Sequence, residues 1–428
     1  MTETILIKNG RVVDPASGLD KKCDILIEDG KFSEVSEKVT DKKGAKVIDA
    51  NGLVVAPGFI DLHVHFREPG FEYKETIETG AKSAAAGGFT SVCCMANTSP
   101  VNDNGSITKT IVEKGISAKA ARVYPIGAVT KGMNGKELAE IGEMKEAGAV
   151  AISDDGRCVM SSSIVRNAME YGSMFGLTLI EHCEDESAHG GIINEGEVSA
   201  HYGIKGIPAT AESIIAQRNI LISDYTGIPV HLAHISVKET VDAVREAKKR
   251  GVKVSCEVTP HHFTLTEKEL KSFDTNCKMN PPLRTQADVD AIKAGLADGT
   301  IDCIATDHAP HADWEKETEI DIAPFGIVGL ETALPLSLQL VKEGVLSLID
   351  MVALLSNRPA AIFNLPGGKI AVGEQADVVL FDPEKEWLFD PKKTESRGKN
   401  SPFNNTTLKG QNILTIVGGN IVYNFANL

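Results

Sequence analysis

Residues 58–65 read GFIDLHVH, a short apolar run opened by glycine and closed by two histidines one residue apart. Residues i and i+2 of a strand project to the same side, so His63 and His65 share a face. Seven further runs follow the same plan. They are GFTSVCCM (88–95), ARVYPIGAV (121–129), AVAISDD (149–155), TLIEHCE (178–184), PVHLAHIS (229–236), KVSCEVTPHH (253–262) and DCIATDHAP (302–310). Most are followed by a segment of helical period. KETIETGAKSAAAGG puts Ile77, Ala81, Ala84 and Ala85 on one face, with Gly87 to end the helix. TVDAVREAKKRG does the same with Val241, Val244 and Ala247 before Gly251. Strands alternating with helices predict parallel β structure. Eight such units predict an α/β fold, a closed (β/α)8 TIM-like barrel with its active groups at the C-terminal strand ends. An open doubly wound sheet is the alternative, and it leaves the residues at those ends unexplained.

The two chain ends differ from this middle and resemble each other. ILIKNGRVVDP (5–15) and DILIEDGKFSEV (24–35) each read as strand, Asn-Gly or Asp-Gly turn, strand. ADVVLFDP (376–383) and LTIVGGNIVYN (414–424) repeat the style. The expectation is one small β domain built from both termini, residues 1–55 and 367–428, with the barrel, 56–366, inserted between them.

Five of the eight runs finish in an imidazole or a carboxylate: His63 and His65, Asp154-Asp155, His182, His234 and Asp307. Any one of them alone reads as a loop cap, and a lone HxH is weak. Jointly they converge, because a barrel brings its strand ends together. Four neutral imidazoles and two carboxylates suit zinc, including a pair of ions sharing ligands. Strand alternation does not choose between Asp154 and Asp155. His231 lies three residues before His234 and is expected to face the other way. His261 and His262 are adjacent, so at most one points inward, and packing is the expected role. His189 and His201 fall in a polar stretch and are expected in solvent. Gly132, Gly135 and Lys136 lack the spacing of a phosphate loop.

Composition narrows the function. The chain carries 44 Lys+Arg against 59 Asp+Glu, a net charge of −15, which argues against nucleic-acid binding through a basic surface. An anionic substrate needs a local positive site to overcome that field. No apolar run approaches the roughly 20 residues of a membrane span. The opening MTETILIKNG has no basic stretch before an apolar one, so no signal peptide is expected. The eight cysteines include no CxxC pair, and several lie in apolar strand-like runs. They read as buried, reduced thiols, and the chain reads as cytoplasmic.

Beyond these patterns, APGFIDLHVHFREPG (56–70) resembles the opening metal motif of the amidohydrolase superfamily, and its Arg67-Glu68-Pro69-Gly70 continuation resembles the dihydroorotase family. MANTSPVND (95–103) is similar to that family's second motif, with Ala96 where proline is expected. KMNPPLR (278–284), ATDHAPH (305–311) and APFGIVGLET (323–332) extend the likeness over essentially the whole chain, toward the bacterial type I branch. The resemblance implies reversible cyclisation of N-carbamoyl-L-aspartate to L-dihydroorotate in pyrimidine biosynthesis, with two Zn²⁺ per chain. His63 and His65 would bind the first ion, His182 and His234 the second. Asp155, the residue before the motif glycine, would bridge them, where many relatives use a carbamylated lysine. Asp307 would ligate the first ion and carry the proton. His65, Arg67, Asn97, Asn280 and His311 match substrate-contact positions, with backbone at Phe325-Gly326 closing over the ring on the loop 311–326. Arg67 suits a carboxylate because its planar fork binds one bidentately; a surface ion pair with Glu68 or Glu72 is its plainer alternative. Two divalent cations against two carboxylates keep the ligand shell positive, fit for an anionic small molecule. The resemblance also admits a homodimer and association with aspartate transcarbamoylase. Two rivals remain. One is another cyclic amidase, of allantoinase or hydantoinase type, whose substrates lack the carboxylate. The other is a non-catalytic scaffold for aspartate transcarbamoylase, which the intact ligand set argues against.

Overall fold

In the computed structural model, which describes residues 3–188, 190–426 and 428, the described residues include eight parallel strands in one ring. They are β1 (Phe59–Val64), β2 (Phe89–Cys94), β3 (Arg122–Gly127), β4 (Ala151–Ile152), β5 (Thr178–Glu181), β6 (Val230–Leu232), β7 (Val254–Val258) and β8 (Cys303–Ile304). Each pairs with the next. The ring closes where Val64 bridges His308 in parallel sense, and the His65 N–H donates to the His308 carbonyl at 2.9 Å. Every strand lies inside one of the eight runs read from the sequence, and the open-sheet alternative falls.

The strands are apolar on both faces because both are covered. Cys93 and Cys94, adjacent in β2, enter different cores. Cys93 joins Ile60, Leu62, Ile126, Ala151, Ile180 and Cys303, which come from five other strands and pack with Phe363 inside the barrel. Cys94 joins Leu179, Val230 and Val254 against the surrounding helices. Helix α1 (Ile77–Ala86) buries Ile77, Ala81, Ala84 and Ala85 and is capped by the Thr76 hydroxyl, which accepts from the Thr79 N–H. Such a cap stabilises a helix by about 1 kcal/mol. Helix α2 (Lys238–Lys249) buries Val241, Val244 and Ala247. All eight cysteines are free and buried.

A second sheet joins the termini, in the order 420–424, 407–417, 378–388, 54–57, 5–14, 19–28, 31–36. The strand Val54–Pro57 leads from it into the barrel, across the expected boundary at residue 55. Asp29-Gly30 makes the expected hairpin turn, both residues having positive φ, with Glu28 opposite Lys31. Asn9-Gly10 does not. The strand Ile5–Asp14 runs straight through it, with a register shift against its neighbour between Ile7 and Gly10. Asn9 takes a φ of 64° there, and a Cβ on Gly10 would come within 2.5 Å of Val55 Cγ2. The pair is therefore a bulge that lets the strand Val54–Pro57 pass close by. Among the described residues no helix is long and apolar enough to cross a membrane. His201 is exposed, and His189 lies outside the described residues.

Candidate metal centre and active site

The site forms where the chain leaves the strands. His63 lies near the end of β1 and His65 just beyond it; His182 follows β5 directly; Asp155, His234 and Asp307 lie two or three residues past β4, β6 and β8. His234 and Asp307 adopt positive φ, 30° and 46°, and Arg67 does so at 62°. Such conformations cost a non-glycine residue about 1–3 kcal/mol each, so the fold spends stability to aim these three side chains.

Asp155 is the centre. Its Oδ2 lies 3.3 Å from His63 Nε2 and 3.4 Å from His65 Nε2. Its Oδ1 lies 3.2 Å from His234 Nε2 and 3.5 Å from His182 Nδ1. Asp307 Oδ1 is 3.0 Å from His65 Nε2 and 3.6 Å from His63 Nε2. Asp154 is turned elsewhere: its Oδ1 accepts the N–H groups of Val129 at 2.8 Å and Thr130 at 3.1 Å.

Tautomers follow from the partners, because a carboxylate or amide oxygen can only accept. His63 donates Nδ1–H to Glu257 at 2.7 Å, and His65 donates Nδ1–H to Asn97 Oδ1 at 2.9 Å. His182 donates Nε2–H to Glu184 at 3.1 Å. In its neutral form each ring thus turns an unprotonated nitrogen inward. His63 Nε2 is buried without a hydrogen-bond partner. His182 Nδ1 and His234 Nε2 face each other at 3.0 Å, a contact that needs a proton or a cation between them. Converging lone pairs and two carboxylates fit a divalent metal pair, with nitrogen and oxygen donors in the range zinc prefers.

The electrostatics agree. Burial opposes ionisation of Asp155, yet His63, His182 and His234 hold its carboxyl well below the usual range. Asp307 is likewise held low against burial by His63 and His65. Burial also opposes a charged His63, but Asp155 and Asp307 pull it well above its usual value; His182 is drawn up to about 10 against burial by Asp155 and Glu184. The pocket favours positive charge, which protons supply when metal does not.

The remaining sequence-derived positions lie around this centre. Arg67 is half-buried, its Nε–H donating to the Pro310 carbonyl at 3.3 Å. Glu68 pairs instead with Lys114, and Glu72 accepts from the Gly70 N–H, so Arg67 has an ion pair with neither. Asn97 also donates to the Asp155 carbonyl at 3.5 Å, and Asn280 Nδ2 donates to Glu184 at 2.9 Å. His311 donates Nε2–H to the Phe325 carbonyl at 2.8 Å. The Gly326 N–H donates to the Lys278 carbonyl at 3.0 Å, and its carbonyl accepts from Asn400 at 3.0 Å. Both backbone groups are therefore engaged within the protein.

Sequence reasoning missed Glu257 and Glu184, which back two of the histidines. Each carried a signal: Glu257 is the one charge in VSCEV, and Glu184 lies two residues after His182. His231 was expected to face away, but it is fully buried, donating Nε2–H to Glu257 at 3.2 Å. Alternation failed because His234 lies beyond the strand in a left-handed conformation. Both adjacent histidines of the seventh run are buried; His262 is tied to Thr259 and the Pro281 carbonyl, while His261 Nε2 has no partner.

Comparison with known proteins gives a consistent picture. A family model described as dihydro-orotase-like matches residues 52–240. A dihydroorotase of Geobacter sp. (strain M21) is 53% identical over 420 residues, covering 98% of this chain and 99% of the relative. One from Syntrophotalea carbinolica is 51% identical over 424 residues, covering 99% and 100%. Among solved structures, the L-hydantoinase of Arthrobacter aurescens superposes with a TM-score of 0.87 at 26% identity, covering 99% of this chain and 96% of the other. A D-hydantoinase from Thermus sp. gives 0.79 at 25% identity, covering 98% and 95%.

Proposed function

The chain belongs to the dihydroorotase family, and from that premise we propose how its residues divide the work of the reaction. That reaction is the reversible cyclisation of N-carbamoyl-L-aspartate to L-dihydroorotate with loss of water, run by a metal-dependent cyclic amidohydrolase. The hydantoinase likeness is one of fold and of general chemistry, and fold alone does not choose a substrate.

The observation that carries the assignment is Asp155 between two pairs of inward-turned imidazoles, with Asp307 against one pair. His63, His65 and Asp307 would hold one zinc ion and His182 and His234 a second, with Asp155 placed between the two sets of donors. When bound, the ions polarise the amide carbonyl and lower the pKa of water from 15.7 toward about 7. The chain's own residues do the rest. In hydrolysis Asp307 accepts a proton from the attacking water and passes it to the departing ring nitrogen. In synthesis it takes the proton from the ureido nitrogen as that nitrogen attacks the side-chain carboxyl carbon, and gives it to the carboxyl oxygen that leaves as water when its bond to that carbon breaks. Arg67 holds the α-carboxylate, the group that hydantoin and allantoin lack. Asn97 orients His65, and Asn280 and His311 line the substrate's other side under the Phe325-Gly326 segment.

Purified protein given N-carbamoyl-L-aspartate should form a product with the mass and absorbance of dihydroorotate. Turnover of hydantoin or allantoin with no turnover of this substrate overturns the assignment. The reading places the enzyme in the cytoplasm, divided at about residues 55 and 367. It admits a homodimer and a complex with aspartate transcarbamoylase, both tested by size-exclusion chromatography of the protein alone and mixed.

A further inference from the structure

Behind the metal centre, inside the barrel, lies a buried polar chain that the reaction as described does not use. Glu257 is the second member of a line running from His63 inward: His63 Nδ1–H to Glu257 Oε1 at 2.7 Å, His231 Nε2–H to Glu257 Oε2 at 3.2 Å, and His231 Nδ1 to the Ser255 hydroxyl at 2.8 Å. The strands impose this order. His231 lies directly opposite Ser255 in the β6–β7 ladder, and Glu257 lies opposite Cys303 in the β7–β8 ladder. Ser255 and Glu257 are two apart, so they share a face of β7. Glu257 is 1% exposed and His231 is fully buried. An isolated charge there would be costly, and this one is tolerated because both carboxylate oxygens accept a ring N–H.

We propose that Glu257, held by His231, is a positioning residue for one half of the metal centre: it fixes the His63 tautomer so that Nε2 presents a lone pair to one ion. The proposal rests on the metal reading above. The proton logic closes along the line. Both oxygens of Glu257 are occupied, so the carboxylate cannot rotate. His63 must then carry its proton on Nδ1, and His231 must carry its own on Nε2, leaving Nδ1 to accept from Ser255. Carboxylates in this position orient a ligand ring and raise its basicity; their loss typically costs 10–100-fold in metal affinity. Glu184 stands in the same relation to His182, so the two halves of the centre are backed separately. Removing one backing carboxylate should therefore loosen one ion and spare the other.

The test is zinc binding to the full chain, measured by competition with a chromophoric chelator, together with thermal unfolding of the zinc-free proteins. Glu257→Gln should weaken one of two zinc ions by roughly 10–100-fold and leave the other within about twofold, with the zinc-free melting temperature nearly unchanged. His231→Phe should reproduce part of that loss. His231→Gln, which can still donate to Glu257, should lose less. The double variant Glu257→Gln/His231→Phe should be no worse than Glu257→Gln alone, because the two act as one unit. Wild type that binds zinc while Glu257→Gln binds both ions equally well overturns this inference alone. So does equal weakening of both ions, or zinc loss matched by a fall in zinc-free stability, which makes Glu257 only a structural residue. Wild type that binds no zinc overturns the metal reading and this inference with it.

Discussion

Replacing Arg67 by lysine keeps a positive charge and removes the planar fork, and the structure indicates what that should cost. The side chain leaves the backbone at a φ of 62°, two residues past His65, and its Nε–H is steadied by the Pro310 carbonyl. Among the described residues its guanidinium has no carboxylate within ion-pair distance; burial weakens its hold on the proton, while Asp307 and Asp155 act the other way. A partly desolvated, unpaired guanidinium gains most from a substrate carboxylate. Lysine replaces two parallel N–H donors by one point of contact. One charged hydrogen bond contributes about 1.5–3 kcal/mol, so kcat/KM for dihydroorotate should fall by roughly 10- to 150-fold. Zinc per chain should stay the same. Dihydrouracil, the same ring without the carboxylate, serves as the control: wild type should turn it over poorly, and Arg67→Lys should not make it worse. Unchanged kinetics with dihydroorotate, or an equal loss with dihydrouracil, would refute the carboxylate role.

Asp307→Asn keeps an oxygen for weak ligation but cannot carry a proton, so kcat should fall by roughly 10²–10⁴-fold while zinc, counted per chain, is largely retained; near-normal kcat removes Asp307 from the proton path. Asp154→Ala leaves the Val129 and Thr130 N–H groups buried without their acceptor; at about 1–3 kcal/mol each it should destabilise the fold by roughly 2–6 kcal/mol in denaturant titrations, with zinc per folded chain retained, whereas Asp155→Ala should lose zinc with far less effect on the zinc-free fold. Lys316 is buried and donates to the Pro324 carbonyl at 2.8 Å, and burial pushes its amine down to about 7 from 10.5. Between about pH 7 and 10 the unfolded chain therefore holds more protons than the native one, and stability from this group should rise with pH, by at most about 1.4 kcal/mol per unit. Lys316→Met should lack that rise; parallel stability curves for the two proteins contradict the shift.

The barrel was legible because it is written twice, in eight short apolar runs and in the helical period between them. The centre was legible because it falls where those runs end. Most of what the sequence left open has one cause: the deciding partner is distant in the chain. Asn9-Gly10 carries the same signal for a tight turn and for a bulge, and only the approach of Val55 decides between them. Asp154 and Asp155 differ in role because the Val129-Thr130 backbone claims the first. His231 was misplaced because alternation was carried past the end of β6. Glu257 meets His63 across 194 positions of sequence, so a lone charge in an apolar run was visible but its purpose was not.

Turnover by this dihydroorotase should require metal held by the six side chains at the strand ends. Its most direct test is loss of the dihydroorotate ring absorbance, followed with protein as purified, after chelation, and after zinc is restored. Turnover should disappear with the chelator and return as zinc approaches two per chain. Full turnover in protein shown by elemental analysis to be free of metal would contradict it.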